Sequence, residues 1–418
     1  MSARRRPPRI PEWRRMTTDR PLRVLLWSPR GAGEHYYGPG SFAYRLYSLA
    51  DPARVRVSLA HGNPDQQHYD LFDDQISIAR SNGHADFVPF LLRSKRWIRA
   101  HGNEFDVMHA LAGFHASVAP AYYAQRQGLP SALFVAGHRG EFTDKPGLKS
   151  LARLPARRRR MIKELSAVIA MSGAIYRELR ALGVSGDRIA RIPMGVNTER
   201  FRPASGSHEK RELRAKLGLP QDVPVVLFVG AVTPRKRPLL LVESLARLRR
   251  SGRDCHLVIV GPDKGSEYVA QISDAVGSLG LESAITRRPH SQAIEQYFRA
   301  ADIFALPSQT EREGMPAAMV EAMATGLAVV GTRTSGIEDL IEDGINGRLV
   351  DPTIDSMSAV LDDYLKDPEA LTTHGKNSRE AALRRYDAVA VLGAYEALFR
   401  GMLAGLPAAQ SSTLPDME

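Results

Sequence analysis

The chain has 418 residues, of which 43% are hydrophobic and 25% charged, and its formal net charge is +11. This length exceeds what one compact core supports, so we expect two domains of an ordinary soluble globular protein. No apolar run approaches the length of a membrane-spanning helix, the arginine-rich start lacks the apolar core of a secretory signal, and the single cysteine excludes an internal disulfide, so we expect a cytoplasmic protein.

The chain opens with a tail, residues 1–20, that is rich in arginine and proline and has little to bury, so we interpret it as flexible. Seven arginines against Glu12 and Asp19 give the tail a charge of +5. Apolar strands are then predicted at "LRVLLW", "RVRVSLA", "DVMHALA", "SALFVAG" and "LSAVIAMS". Helical stretches lie between these strands, and this alternation predicts a parallel sheet covered by helices on both faces.

A second basic cluster, "KSLARLPARRRRMIK" at 149–163, has seven basic residues and no acid. It is typical of a solvated basic face, and it also suits an anionic membrane surface or an acidic substrate. Nucleic acid ranks last among the candidate partners, because the chain has no nucleic-acid-binding module and no aromatic residues among the basic ones.

The alternating pattern restarts after the polar stretch "NTERFRPASGSHEKRELRAKLGLPQDVP", whose first part we interpret as a linker between domains. Strands are predicted at "VVLFVG", "HLVIVG", "DIFALPS" and "LAVVGT", with helices between them, so a second doubly wound sheet is expected. Ligands of open parallel sheets bind beyond the carboxyl ends of the strands. The cleft between the two domains is therefore the predicted site of ligand binding and chemistry.

One loop of this kind, "VGAVTPRKRP", follows a predicted strand and carries Lys236 with Arg235 and Arg237 beside it. Cations at the carboxyl end of a strand suit a phosphate. A basic loop that merely faces water explains the same residues equally well.

A second loop leads into the apolar stretch "EGMPAAMVEAMATG", which keeps two acids, Glu313 and Glu321. Pro316 suits a helix start, and the bare backbone N–H groups there can receive an anion. A carboxylate buried in such a helix costs several kcal/mol unless something pairs with it. Lys236 or a backbone N–H would satisfy Glu321, and so would a ligand with two neighbouring hydroxyl groups, such as a ribose.

The stretch "ALPSQTEREGMPAAMVEAMATGLAVVGTRTSGIEDLIEDGINGRLVDP" resembles the donor-sugar region of the retaining glycosyltransferases of family 4. Their two-glutamate motif, with seven residues between the acids, matches Glu313 and Glu321. The loop "FVGAVTPRKRP" is similar to the phosphate loop of the family, and the likeness extends over most of residues 22–400. It implies the GT-B fold, in which two Rossmann-like domains face a central cleft and a C-terminal helix crosses back to the first domain.

The resemblance also implies an organisation of the whole chain. The expected parts are a basic tail at 1–20, an acceptor-side domain at 21–198, a donor domain at 199–380, a helix packing back on the first domain at 381–405, and a disordered tail at 406–418.

The resemblance assigns roles to individual residues. Lys236 would stabilise the leaving diphosphate, Glu313 would contact the sugar beside the breaking bond, and Glu321 would hydrogen-bond the ribose. His138, in "LFVAGHRGEF", matches a histidine near the reaction centre. The remaining donor-binding candidates are Arg235, Gly38, Gly40, Gly314, Met315, Pro316 and Ala317.

Two features weaken parts of this assignment. The family usually has arginine where this chain has Ala231, so Arg235 substitutes for it or a positive charge is missing from the leaving-group site. Gly31 and Gly33 in "SPRGAGE" compete with Gly38 and Gly40 for the glycine-rich loop, and a plain turn explains either pair.

We therefore expect a metal-independent enzyme that transfers a sugar from a nucleotide-diphosphate donor to an acceptor hydroxyl with retention of configuration. It needs no cofactor beyond this co-substrate, and no metal site is indicated. The acceptor would be a lipid-linked molecule, a polysaccharide or a small molecule. Abundant arginine and alanine indicate a GC-rich bacterial genome and favour envelope biosynthesis, and the basic clusters suggest the inner face of the cytoplasmic membrane. The alternative is a non-catalytic nucleotide-sugar-binding scaffold at the membrane, for which Ala231 is the direct support.

Overall fold

The structure is a computed structural model, and it describes residues 20–34, 38–79, 86–137, 154–309 and 314–411. Two parallel β-sheets organise this part of the chain, and every strand pairs in parallel with its neighbours. Helices cover both sheets, so the predicted pair of doubly wound domains is confirmed. None of the helices in the described ranges combines the length and apolar character needed to span a bilayer.

The first sheet has seven strands in the order β3-β2-β1-β4-β5-β6-β7. Its central strands are apolar and buried along almost their whole length, as expected for a parallel sheet packed on both faces. The strands are Leu22–Ser28 (β1), Val55–His61 (β2), Gln75–Ser77 (β3), Val107–Leu111 (β4), Ser131–Val135 (β5), Ala167–Ala170 (β6) and Ile189–Arg191 (β7).

The second sheet has six strands in the order β10-β9-β8-β11-β12-β13. The strand order changes direction between β8 and β11, so the loops after these two strands meet at a switch point of the kind where ligands bind. The strands are Val225–Val229 (β8), His256–Val260 (β9), Ile285–Arg288 (β10), Ile303–Leu306 (β11), Ala328–Thr332 (β12) and Gly347–Val350 (β13).

Helices connect the strands of each sheet. Those of the first domain are Gly38–Tyr47 (α1), Phe87–His101 (α2), His115–Arg126 (α3), Leu154–Glu164 (α4) and Gly173–Ala181 (α5). Those of the second are Ser207–Leu217 (α6), Pro238–Arg250 (α7), Ser266–Ser278 (α8), Ile294–Ala300 (α9), Ala317–Ala324 (α10), Ser335–Glu338 (α11), Ile354–Lys366 (α12) and Pro368–Arg385 (α13), and Ala388–Leu403 (α14) and Ala408–Ser411 (α15) follow.

The chain passes between the domains twice, and the two crossings touch. Val196 donates its N–H to Tyr386 and accepts from the N–H of Ala388, at 2.8 and 2.9 Å. A side chain at Gly195 would meet the Cα of Ala388 at 2.9 Å, so glycine lets the two crossings approach. The second crossing lies at 386–387, between α13 and α14. The boundary predicted from the sequence, 380/381, lies inside α13.

Helix α14 returns to the first domain and packs on its core. The ring of Tyr395 lies 5.3 Å from that of His109 and 6.3 Å from that of Phe42, and Glu396 pairs with Arg54 at 2.6 Å. The predicted crossing helix is therefore present.

The first part of the tail predicted as disordered, 406–418, contains a helix instead. Helix α15 buries Ala408 and Ser411 against α14 and β7. Gly401 makes this possible, because any side chain there would stand 2.2 Å from the hydroxyl of Ser411. Gly401 of α14 thus makes room for α15, which the composition of the tail does not reveal. Residues 412–418 lie outside the described ranges.

Candidate active site between the two domains

The loops after β8, β9 and β11 converge at one edge of the second sheet. A side chain at Gly261, after β9, would collide with the carbonyl oxygen of Gly230, after β8, at 1.9 Å. Gln309, after β11, donates its N–H to the carbonyl of Arg235 at 3.0 Å. The cationic loop and the loop that leads into α10 are therefore joined at this edge.

Lys236 lies in a tight turn of the cationic loop. Its backbone N–H donates to the carbonyl and the hydroxyl of Thr233, at 3.1 and 3.3 Å. Removal from water, reinforced by the positive charge of Arg235, lowers the pKa of its amine to about 7. Burial also lowers the pKa of the more exposed Arg235. Two cations that are partly removed from water in this way are favourable for an anion, which would restore the charge that desolvation suppresses.

Arg237, the third cation of the loop, turns away from that cluster. Its guanidinium donates to the carbonyl of Pro352 at 2.8 Å. Its backbone adopts a left-handed conformation, with φ of 52°, directly before Pro238 opens α7. Positive φ is uncommon outside glycine and is frequent at functional loops.

The segment that leads into α10 packs against the first domain. A side-chain carbon at Gly314 would lie 2.0 Å from the carbonyl oxygen of Ala136 and 3.1 Å from the sulfur of Met171. The sulfur of Met315 accepts from the N–H of Met194 at 3.4 Å. Pro316 has an extended conformation and precedes the helix, which begins at Ala317. These four donor-site candidates, 314–317, therefore line the boundary between the domains.

Two predicted catalytic residues, His138 and Glu313, lie outside the described residues. Their roles stay predictions. Ala136 and Gly314, which the structure does describe, stand close to them in the chain and touch each other.

Glu321 is buried in α10, with 8% of its surface exposed. The partner that the structure gives its carboxylate is Arg45 of α1, at 3.0 Å. Burial raises the pKa of Glu321, and the guanidinium groups of Arg45 and Arg200 oppose that effect. Neither Lys236 nor a backbone N–H fills the role that the sequence suggested, because the pairing group comes from the other domain.

A cavity of about 110 Å³ adjoins this ion pair. Arg45 and Leu46 of α1, Asn197 and Arg200 of the crossing segment, and Ala317 and Glu321 of α10 are among the residues that line it. Sequence reasoning missed Arg45, Asn197 and Arg200. No local pattern marks them, since they become neighbours of Glu321 only when the domains meet.

The glycine candidates of the first domain differ from each other. Gly38 opens α1, and a side chain there would meet nothing within 4 Å. Gly40 is buried in the same helix. Gly31, the rival, has a φ of 83° and donates its N–H to Ser28 at 2.8 Å, which is a plain turn. Packing against the described residues therefore gives no reason for glycine at 38, and a close approach by a ligand remains its predicted use.

Two polar residues outside the candidate site, Asp302 and His109, have structural roles. Asp302 accepts hydrogen bonds from Lys210, Arg214 and the N–H of Val225. The Nδ1 atom of His109 lies 2.8 Å from the hydroxyl of Tyr47. His109 is fully buried, and removal from water lowers its pKa to about 3.

Comparisons with known proteins agree with this architecture. The sequence model described as "Glycosyltransferase Family 4" matches residues 20–200, and the one described as "Glycosyl transferases group 1" matches residues 209–381. Each covers one of the two domains.

Two curated relatives are about one third identical to this chain. A D-inositol 3-phosphate glycosyltransferase of Nocardia farcinica is 33% identical over 199 residues, which are 46% of this chain and 43% of the relative. A GDP-mannose-dependent alpha-(1-6)-phosphatidylinositol monomannoside mannosyltransferase of Mycolicibacterium smegmatis is 32% identical over 200 residues, 46% and 51% of the two chains. The matched part of this chain thus spans about half the length of these relatives.

Among solved structures, the HepE protein of Anabaena in complex with UDP aligns with 92% of this chain and 100% of its own. The TM-score is 0.74 and the sequence identity 20%. Such low identity bears on the fold alone. The chain therefore belongs to glycosyltransferase family 4, and its fold is the GT-B fold.

Proposed function

We propose that this protein is a retaining glycosyltransferase that transfers a sugar from a nucleotide-diphosphate donor to an acceptor hydroxyl. The observation that carries the proposal is the edge of the second sheet, where a half-buried cationic loop and a helix with a buried carboxylate follow the neighbouring strands β8 and β11. Cations suit the diphosphate, and a carboxylate suits the two hydroxyls of the ribose. Each half of the donor thus has a matching group.

In the proposed reaction, the bond between the sugar and the diphosphate breaks while the acceptor hydroxyl attacks from the same face. Lys236 stabilises the negative charge that develops on the leaving diphosphate. Arg235 substitutes for the arginine that the family usually has at the position of Ala231. The leaving diphosphate takes the proton of the acceptor. Glu313 and His138 are the proposed contacts of the sugar, and closure of the domains excludes water.

The test is the release of nucleotide from a panel of nucleotide sugars, with and without acceptors, followed by determination of the anomeric configuration of the product. Slow hydrolysis of one donor, and faster release with an acceptor, support the enzyme. Heat protection by a donor without release, across lipid-linked, polysaccharide and small-molecule acceptors, supports the alternative, a non-catalytic scaffold that binds nucleotide sugars.

We also propose that no metal takes part. Among the described residues, no group of three or more His, Cys, Asp or Glu side chains could hold a metal ion, and the cationic loop offers the charge that a divalent ion would otherwise supply. Release of nucleotide that is unchanged by EDTA supports this. Loss of release that Mg²⁺ or Mn²⁺ restores contradicts it.

A peripheral site on an anionic membrane is a further part of the proposal. Helices α2, α3 and α4 lie side by side on the first domain. Exposed basic residues cover the outer sides of α2 and α4, and Val88 and Leu92 at the start of α2 are 60% and 64% exposed. The basic residues are Arg93, Lys95, Arg96, Arg99, Arg157, Arg159, Arg160 and Lys163.

Both features of this surface suit a membrane. Each basic residue near an anionic surface contributes roughly 1 kcal/mol to attraction, and exposed apolar side chains can enter the interface. Helix α2 starts at the carboxyl edge of the sheet, after β3, so the apolar end lies at the cleft side of the domain. A lipid-linked acceptor would reach the cleft from there, on the cytoplasmic face of the membrane.

Flotation with phosphatidylglycerol-containing vesicles tests the membrane site. We expect binding at low salt that weakens at moderate salt, and loss of binding in the variant Arg157→Glu/Arg160→Glu. The matched control is Arg249→Glu/Arg250→Glu, which reverses two exposed arginines at the end of α7 in the second domain. Absence of binding at low salt contradicts the membrane site and leaves a soluble anionic acceptor as the explanation of the basic surface.

A further inference from the structure

An ion pair joins the two domains at the wall of the cavity. Arg45 lies in the last turn of α1, and its guanidinium donates to the carboxylate of Glu321 in α10 at 3.0 Å. The Arg45 side chain is 45% exposed and that of Glu321 only 11%. The arginine therefore covers a buried carboxylate from the solvent side.

The same carboxylate is the group that the proposed function gives to the ribose of the donor. A guanidinium and a pair of neighbouring hydroxyls make the same kind of contact with it, because both present parallel hydrogen-bond donors to carboxylate oxygens. Since Arg45 and Glu321 both line the cavity, a ligand that reaches the carboxylate from the cavity meets the arginine already there.

We propose that Arg45 occupies the place of the donor ribose on Glu321 and is exchanged for it when the donor binds. This inference rests on the proposed function and adds Arg45 as a residue that sets donor affinity. In the free protein, the arginine keeps the buried carboxylate paired. When the diol of the ribose takes over, the carboxylate stays hydrogen-bonded and Arg45 is released from the second domain.

The exchange makes an unusual prediction, because loss of Arg45 must have opposite effects on stability and on binding. Without Arg45, the free protein holds an unpaired buried carboxylate and is less stable. The donor then no longer has to displace a partner, so it binds more tightly. A merely structural ion pair would lower stability without improving binding, and an arginine that shares the carboxylate with the ribose would weaken binding when removed.

The experiment uses Arg45→Met, which keeps the aliphatic part of the side chain. Calorimetry would follow the binding of UDP, GDP or ADP, whichever protects the wild-type protein best against heat. We expect the Kd to fall by about 3- to 30-fold. The lower value corresponds to the strength of a half-exposed ion pair and the upper value to that of a well-formed charged hydrogen bond. The Tm of the free variant should fall. Arg45→Lys should restore part of both properties.

Arg54→Met is the matched control. Arg54 is also an exposed arginine that covers a buried glutamate, Glu396, with side-chain exposures of 62% and 7%. This pair lies outside the cavity lining. Its loss should lower the Tm and leave the Kd unchanged.

Two further measurements tie the effect to the ribose. The gain in affinity should vanish for the 2′,3′-dideoxy form of the same nucleotide, and Arg45→Met should have no effect on the Kd in a Glu321→Gln background. An unchanged or higher Kd in Arg45→Met, while the wild type binds nucleotide, overturns the exchange and leaves the proposed function standing. Failure of the wild type to bind any of these nucleotides or their sugars removes both.

Discussion

Gly314 and Ala136, which belong to different domains, are in contact so close that a side-chain carbon at 314 would stand 2.0 Å from the carbonyl oxygen of Ala136. That neighbour is backbone and cannot rotate away. The donor-side loop can therefore meet the first domain in this way only with glycine at 314.

Gly314→Ala should accordingly separate the domains at this point. A clash with backbone in a packed interface costs roughly 1–3 kcal/mol, so we expect kcat/KM for sugar transfer to fall about tenfold or more. Small-angle scattering should show a more open molecule. The matched control is Gly393→Ala in α14, where a side chain would meet nothing within 4 Å, and it should keep wild-type transfer. Wild-type rates in Gly314→Ala would show that transfer does not need this contact.

Gly38→Ala addresses the opposite case, a glycine for which packing against the described part of the chain gives no reason. Because a side chain at 38 would meet nothing within 4 Å, the free energy of unfolding should change by less than about 1 kcal/mol. If the diphosphate approaches the backbone here, the KM for the donor should rise by at least severalfold. An unchanged KM would assign the site to a plain helix start. Enzyme kinetics and chemical denaturation on the same preparation decide between these outcomes.

Lys236 should take up a proton when the diphosphate binds. Its pKa is lowered to about 7, so the amine is largely neutral at pH 8 in the free protein, and an anion beside it would raise the pKa and restore the charge. Calorimetry of nucleoside diphosphate binding at pH 8, in two buffers with different ionisation enthalpies, should therefore give different heats. Binding should also weaken as the pH rises above about 7.

Lys236→Met should abolish the difference between the buffers and slow transfer by about 100-fold or more, as for loss of a group aimed at developing charge. Lys216→Met, which removes an exposed lysine of α6, is the control and should retain both properties. Equal heats in the two buffers for the wild-type protein would place Lys236 away from the diphosphate.

Asp302 should matter for stability and not for chemistry. It holds Arg214, which is 7% exposed in its side chain, and the start of β8 through the N–H of Val225. Asp302→Asn leaves that buried arginine without its charge partner, so we expect a loss of about 2 kcal/mol or more in the free energy of unfolding. Denaturant titration is the measurement, and nucleotide affinity should not change.

Asp355→Asn provides the comparison for Asp302. Asp355 pairs with Arg247 on the surface, where the side chains are 77% and 55% exposed, so its loss should cost less than about 1 kcal/mol. A stable Asp302→Asn variant with impaired transfer would identify Asp302 as a reacting group instead of a structural one.

The sequence by itself determined the two parallel sheets and their central strands. Strands such as β1, β4 and β8 are mostly apolar because both faces of the sheet are buried, and that pattern is visible in any single stretch of chain. The four strands that it missed are β3, β7, β10 and β13, the edges of the two sheets. These edge strands are only three or four residues long, and β3 and β10 are also half-exposed, so they carry little apolar signal.

The sequence also indicated where charge is concentrated, because Lys236 lies in a basic loop after a strand and Glu321 lies in an apolar helix, where a charge has a cost. It did not determine what pairs with them. Arg45 lies 276 residues from Glu321 along the chain, and a partner at that separation is chosen by how two domains come together, not by spacing within either one. The close fit of Gly314 on Ala136 has the same origin. The pattern of neighbouring residues predicts local burial, whereas the contacts that close the cleft form only once both domains have folded and met.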